Sequence, residues 1–126
     1  MRRIGLITVA VVALALVAGG TAHAGTASFP GKWQSVALDG SLQRLRIVTD
    51  GPGVYHAVLR DRHTSGACGG PAVTLEGPLA DAGTNLIEGT WRLECPNGIR
   101  LRGEWAFSYD PATDTLWDGL VTWYRH

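Results

Sequence analysis

Residues 86–109 read LIEGTWRLECPNGIRLRGEWAFSY, two alternating runs either side of Pro96-Asn97-Gly98. A three-residue hairpin loop commonly joins a type I turn to a residue in the left-handed region. Proline presets φ at the second turn position, and glycine accepts positive φ at the last. This loop predicts a register in which Leu93 faces Leu101, Trp91 faces Gly103 and Gly89 faces Trp105. Each indole then lies opposite a glycine that leaves room for it. Ile87, Trp91, Leu93, Ile99, Leu101, Trp105, Phe107 and Tyr109 fall on one face. The other carries Glu88, Thr90, Arg92, Glu94, Arg100, Arg102, Glu104 and Ser108, with Glu94 opposite Arg100. One dry and one wet face is what an antiparallel sheet around a single core presents.

Outward from this hairpin the chain is punctuated by turn signals. They fall at Asp39-Gly40, Asp50-Gly51-Pro52-Gly53, Ser65 to Pro71, Asp81-Ala82-Gly83 and Asp110-Pro111. The runs between them predict seven strands: 32–38, 42–49, 54–61, 72–79, 86–95, 99–109 and 115–125. An eighth would come from 26–31 or from splitting a long strand. No stretch sustains a helical period. An open sheet of this size would leave two edges and a bare apolar face, and closure removes both. The expected fold is therefore all-β: an antiparallel up-and-down meander of seven or eight strands closed into a small barrel. A β-sandwich is the alternative, disfavoured because the connections are short and local.

Successive turns of a meander alternate between two ends. The turns near 40, 62–71 and 96–98 share one end, which brings Cys68 and Cys95 together. Both cysteines are then expected in one disulfide. Its loop spans 27 positions, for which the chain-entropy model gives roughly 3–4 kcal/mol.

Residues 1–24 carry a basic start (Arg2, Arg3), an apolar run from Ile4 to Ala18, and a small-residue stretch ending Ala22-His23-Ala24. This is the layout of a secretory signal peptide of the Sec type, cleaved after Ala24. The apolar run is short of the ~20 residues a bilayer span needs. Residues 25–126 would form a single secreted domain with no membrane association. Removing Arg2 and Arg3 leaves nine Lys+Arg against eleven Asp+Glu, a net charge of −2. That balance excludes a general nucleic-acid binder. A hydrophobic content of 45% excludes a disordered chain. Two cysteines exclude a Cys-only zinc site.

Gly31-Lys32-Trp33 opens the first strand and Trp123-Tyr124-Arg125 closes the last. This resembles the Gly-x-Trp opening and late arginine of calycin-type up-and-down barrels, the lipocalins and avidins. The resemblance implies that Trp33 packs across the barrel floor with Arg125 over it. Gly-x-Trp returns at Gly89-Thr90-Trp91 and Gly103-Glu104-Trp105, similar to the Trp-rich strands of avidins. A run of avidin-like biotin ligands is absent, so biotin binding is not carried over.

The chain carries no Gly-x-Ser-x-Gly, no His-Glu-x-x-His and no phosphate-binding loop, and no metal or cofactor is expected. His56 and its neighbour Tyr55 point to opposite faces of a strand. Asp61 and His63 at i, i+2 would make part of a metal site or an oriented base, against a charged strand end entering solvent. Asp39, Asp50, Asp81, Asp110 and Asp114 suit turns; Glu76 and Asp118 lie inside strands. Trp91, Trp105, Trp117, Trp123 and Tyr109 are the candidate ligand wall, with plain core as the alternative. In an unbroken last strand, Trp117, Gly119, Val121 and Trp123 share the inward face. The Gly-rich loop 62–71, with Arg62, His63 and Ser65, is the candidate rim. The leading expectation is a secreted, non-catalytic barrel that binds a small apolar or aromatic molecule, or an extracellular protein, at its open end. Alternatives are a hydrolase inhibitor using loop 62–71, and a small enzyme using His56, His63, Asp61 or Glu76. Oligomeric state is left open.

Overall fold

The computed structural model describes residues 28–61, 68 and 73–126. The leader and the rim residues Arg62, His63 and Ser65 lie outside the described residues. Eight strands follow one another: β1 Gly31–Val36, β2 Leu42–Gly51, β3 Val54–Asp61, β4 Val73–Gly83, β5 Leu86–Glu94, β6 Arg100–Asp110, β7 Thr115–Trp117 and β8 Thr122–Arg125. Each pairs antiparallel with the next, and β8 closes onto β1. The meander is a closed barrel.

The β5–β6 hairpin has the expected register: Leu93 opposite Leu101, Trp91 opposite Gly103, Gly89 opposite Trp105 and Glu94 opposite Arg100. Gly98 N–H donates to the Cys95 carbonyl at 2.9 Å, and Gly98 takes a φ of 92°. The two glycines make room for different things. A Cβ at Gly103 would enter the Trp91 indole, as expected. A Cβ at Gly89 would instead strike the Pro78 carbonyl on β4, and one at Gly77 the Thr90 carbonyl on β5. These backbones approach so closely that only glycine fits.

The eighth strand comes from splitting 115–125. Asp118 Oδ1 accepts from the amides of Leu120 and Val121, both at 2.9 Å, and Gly119 takes a φ of 97°. The resulting turn pairs Trp117 with Thr122 and Leu116 with Trp123. Leu116 and Trp123 therefore point inward, whereas Trp117 is 49% exposed on the outer wall. The expectation of an inward Trp117 is corrected: it assumed an unbroken alternation that the Asp118 turn interrupts. Ile99 and Leu101, also expected on the dry face, are exposed where β6 emerges from the barrel.

Cys68 and Cys95 are bonded, with Cα atoms 5.3 Å apart, at the end expected from the meander. The opposite end is packed solid. Trp33 is fully buried, and its Nε1 donates to the Phe29 carbonyl at 2.9 Å. Phe29 meets Tyr55 and Tyr109 edge-on at 5.7 and 5.9 Å. The Arg125 guanidinium lies 4.1 Å above the Trp33 ring. It also donates to both Asp114 oxygens at 2.8 Å and to the carbonyls of Pro30 and Ser28 at 3.0 Å. A side chain at Gly31 would meet Arg125 Nη1. The Gly-x-Trp opening thus has a local reason: the glycine admits the arginine, and the indole, two residues on, lies beneath it.

Asp114 answers that arginine. It sits at a φ of 54°, unusual for a residue with a side chain. Hydrogen bonds from Arg125 and from Tyr109 Oη, the latter at 2.7 Å, hold its carboxyl down at about 2. Burial, then the Asp114 hydrogen bond, raises the Tyr109 phenol above its ordinary range.

Candidate functional site

The other end is built differently. Three described connections, 37–41, 95–99 and 118–121, surround it, together with Cys68. β5 and β6 carry Trp91 and Trp105 diagonally across from each other, each half-buried, on the face shared with buried Leu93 and Phe107. The Trp105 ring lies 5.7 Å from Phe107 and packs against the core. Its Nε1 is buried and meets no hydrogen-bond acceptor. Buried donors are nearly always satisfied, so this one calls for an explanation.

Across the opening, the upper ends of β2 and β3 bring Gln43 opposite Asp61. Gln43 Nε2 donates to Asp61 Oδ2 at 3.2 Å. Buried Ser41 has one hydroxyl proton to give, and its Oγ lies 2.7 Å from Asp39 Oδ1 and 3.0 Å from Asp61 Oδ1. Ser35 Oγ donates to the Thr122 carbonyl at 2.6 Å, tying β1 to β8 below them. The mouth therefore sets two indole walls and an unused N–H against a hydrogen-bonded carboxylate group. A flat ring can stack on such walls, and a ring substituent that accepts a hydrogen bond can meet the N–H.

Of the other candidates, Trp123 is wholly buried and its Nε1 is taken by Asp118 Oδ2 at 2.9 Å. Tyr109 lies in the floor. Trp117 is on the outer wall. His56 Nε2 and Glu76 Oε1 do meet, at 3.4 Å, but on the outside of β3 and β4 with Arg92 alongside. Asp61 lies on the inner face of the mouth, apart from that pair, and His63 is outside the described residues. Among the described residues, no group of three His, Cys, Asp or Glu side chains is placed to hold a metal. The Ser41–Asp61–Gln43 cluster escaped the reading of the sequence, because its members are up to 20 positions apart and meet only through the β2–β3 register.

Fold and site together define a disulfide-clipped, eight-stranded antiparallel barrel, compatible with a calycin-like fold, with one sealed end and one Trp-lined end. No protein-family model, curated protein or solved structure matches the chain.

Proposed function

We propose that the protein is a secreted, calycin-type binding barrel that takes a small flat apolar or aromatic molecule into its mouth. Trp91 and Trp105 are its walls, and Trp105 Nε1 donates to an acceptor on the ligand. The observation that carries this reading is the buried, unused Trp105 donor. The nitrogens of Trp33 and Trp123 are both paired, so the exception falls at the mouth. The leader and the disulfide support secretion. The Gly31-x-Trp33 and Arg125 floor supports kinship in form with lipocalins and avidins.

The test is titration of tryptophan fluorescence with ring compounds bearing a carbonyl or carboxylate. Trp105→Phe keeps a ring and removes the donor, and it should weaken binding about two- to tenfold. Trp117→Phe, on the outer wall, should leave it unchanged. Quenching by none of the compounds, or equal loss in both variants, overturns the reading.

A second reading has its own observation. Leu38 is 80% and Leu120 69% exposed, and Ile99 is exposed as well, so each of the three described mouth connections carries a bare aliphatic side chain. Such a rim suits a protein surface, including that of a hydrolase. Leu38→Asp and Leu120→Asp should abolish capture of that partner and leave ring-compound binding intact.

A further inference from the structure

The outer wall of β1–β3 holds a concentration of charge that folding does not explain. Register places Lys32 opposite Arg46 and Arg44 opposite Arg60. All four are exposed, and none has an ion-pair partner among the described residues. Like charges directly opposite across a sheet destabilise it. The far wall also holds one like-charge pair, Arg92 opposite Arg102, but carboxylates are interleaved with it: Arg100 lies on Glu94 at 3.0 Å and Arg92 near Glu76 at 3.9 Å. Among the described residues, Glu76 on the next strand, β4, is engaged by His56 and Arg92; Asp50 lies at the β2–β3 turn, and His126 also borders the groove. The four cations border a groove of about 480 Å³.

The same wall continues into exposed aromatics. Tyr124 pairs with Gln34, Gln34 with Arg44 and Arg44 with Arg60. These outward side chains form one row across four strands, about 14 Å long at ~4.8 Å per strand step. Trp117 on β7, opposite Thr122 and so diagonal to Tyr124, adds a second exposed ring next to this end. A row that begins in ring faces and ends in guanidinium forks matches a polymer with alternating ring faces and acid groups.

We propose that this wall docks a linear acidic polysaccharide: sugar rings lie on Trp117 and Tyr124, and carboxylates meet Arg44, Arg60, Arg46 and Lys32. A single-stranded nucleic acid offers related chemistry. The polysaccharide is favoured because the disulfide belongs to an oxidising compartment, and because residues 25–126, with nine Lys+Arg against eleven Asp+Glu, lack the basic excess that a dense phosphate backbone selects. The choice of polymer rests on the secreted placement proposed above; the basic wall itself does not.

The experiment is retardation of the disulfide-bonded protein in gels containing polygalacturonate, with neutral dextran and a single-stranded oligonucleotide in parallel. Polygalacturonate should bind at low salt and release as salt rises, while dextran should not bind. Arg44→Glu and Arg60→Glu should each cost about tenfold in affinity. Tyr124→Ala should weaken binding less, and Arg102→Glu on the far wall should change nothing. Thermal melting guards against misfolding: Arg44→Glu relieves the Arg44–Arg60 opposition, so its midpoint should be no lower than that of the parent. No retention by polygalacturonate, or equal loss in Arg102→Glu, overturns the proposal. An oligonucleotide bound as tightly, with the same variant dependence, overturns the choice of polymer.

Discussion

The two ends of the barrel use the same residue types to opposite effect. At the floor, Trp33 is covered by Arg125 and its nitrogen is paired, while Asp114 takes both guanidinium bonds and the Tyr109 hydroxyl. At the mouth, Trp91 and Trp105 are half-buried and one indole nitrogen has no partner. The floor joins both ends of the folded chain through one arginine; the mouth is joined by a cystine. A small barrel cannot give up core at both ends and stay folded. Stability is concentrated where the N- and C-terminal strands meet, which leaves the other end free to carry unsatisfied chemistry.

That contrast can be broken most severely at Trp33. Trp33→Ala should cost about 3–5 kcal/mol in urea unfolding, since it empties a fully buried site and removes the surface on which Arg125 rests. Opening the mouth should cost nearly as much. Replacing Cys68 and Cys95 together by serine removes a loop constraint worth roughly 3–4 kcal/mol in the chain-entropy model. The double variant should nonetheless keep the floor, visible as an unchanged near-ultraviolet signal from Trp33 below the new melting point.

A smaller effect separates the ends by pH. The Asp114 carboxyl titrates near 2 in the fold against an ordinary 3.8. A depressed acid contributes stability that is complete above its unfolded value and drains away as pH falls toward its folded one. The floor should therefore loosen between about pH 4 and pH 2. Asp114→Asn should lower stability at neutral pH and flatten that acid limb, as read by melting curves across the range. Tyr109, shifted upward, has the opposite sign: its contribution is lost as pH rises through its folded value.

The finest comparison is between two identical truncations. Trp123→Phe strips Asp118 of its indole donor, whereas Trp105→Phe removes a donor that has no partner. Trp123→Phe should be the more destabilising by about 1 kcal/mol. Equal costs would mean that the Trp105 nitrogen is satisfied in solution.

Much of this architecture is legible in residue order, for local reasons. The Pro96-Asn97-Gly98 loop sets its own register, and strict alternation on both sides then assigns every side chain of β5 and β6 to a face. Meander geometry does the same for the cystine. Legibility fails where a side chain overrides a pattern. Trp117-Asp118-Gly119 reads as alternation, yet the Asp118 carboxylate caps two amides and turns the chain. Gly89 reads as space for Trp105 on β6, yet the close neighbour is the Pro78 carbonyl on β4, the strand on its other side. The mouth cluster and the basic wall are invisible in the sequence, because each is assembled from residues on different strands.

Composition, turn residues and the period of two determined an all-β meander, the pairing of its consecutive strands and its disulfide, since those depend on turn chemistry and on the alternation of ends that successive turns impose. Only closure of the barrel decided which tryptophans are core and which line the mouth, which donor is left over, and that exposed Tyr124 on β8 joins the basic residues of β1–β3 in one row. Those properties depend on how far each strand is staggered around the ring, and the stagger is settled by packing across the interior rather than by any local stretch of chain.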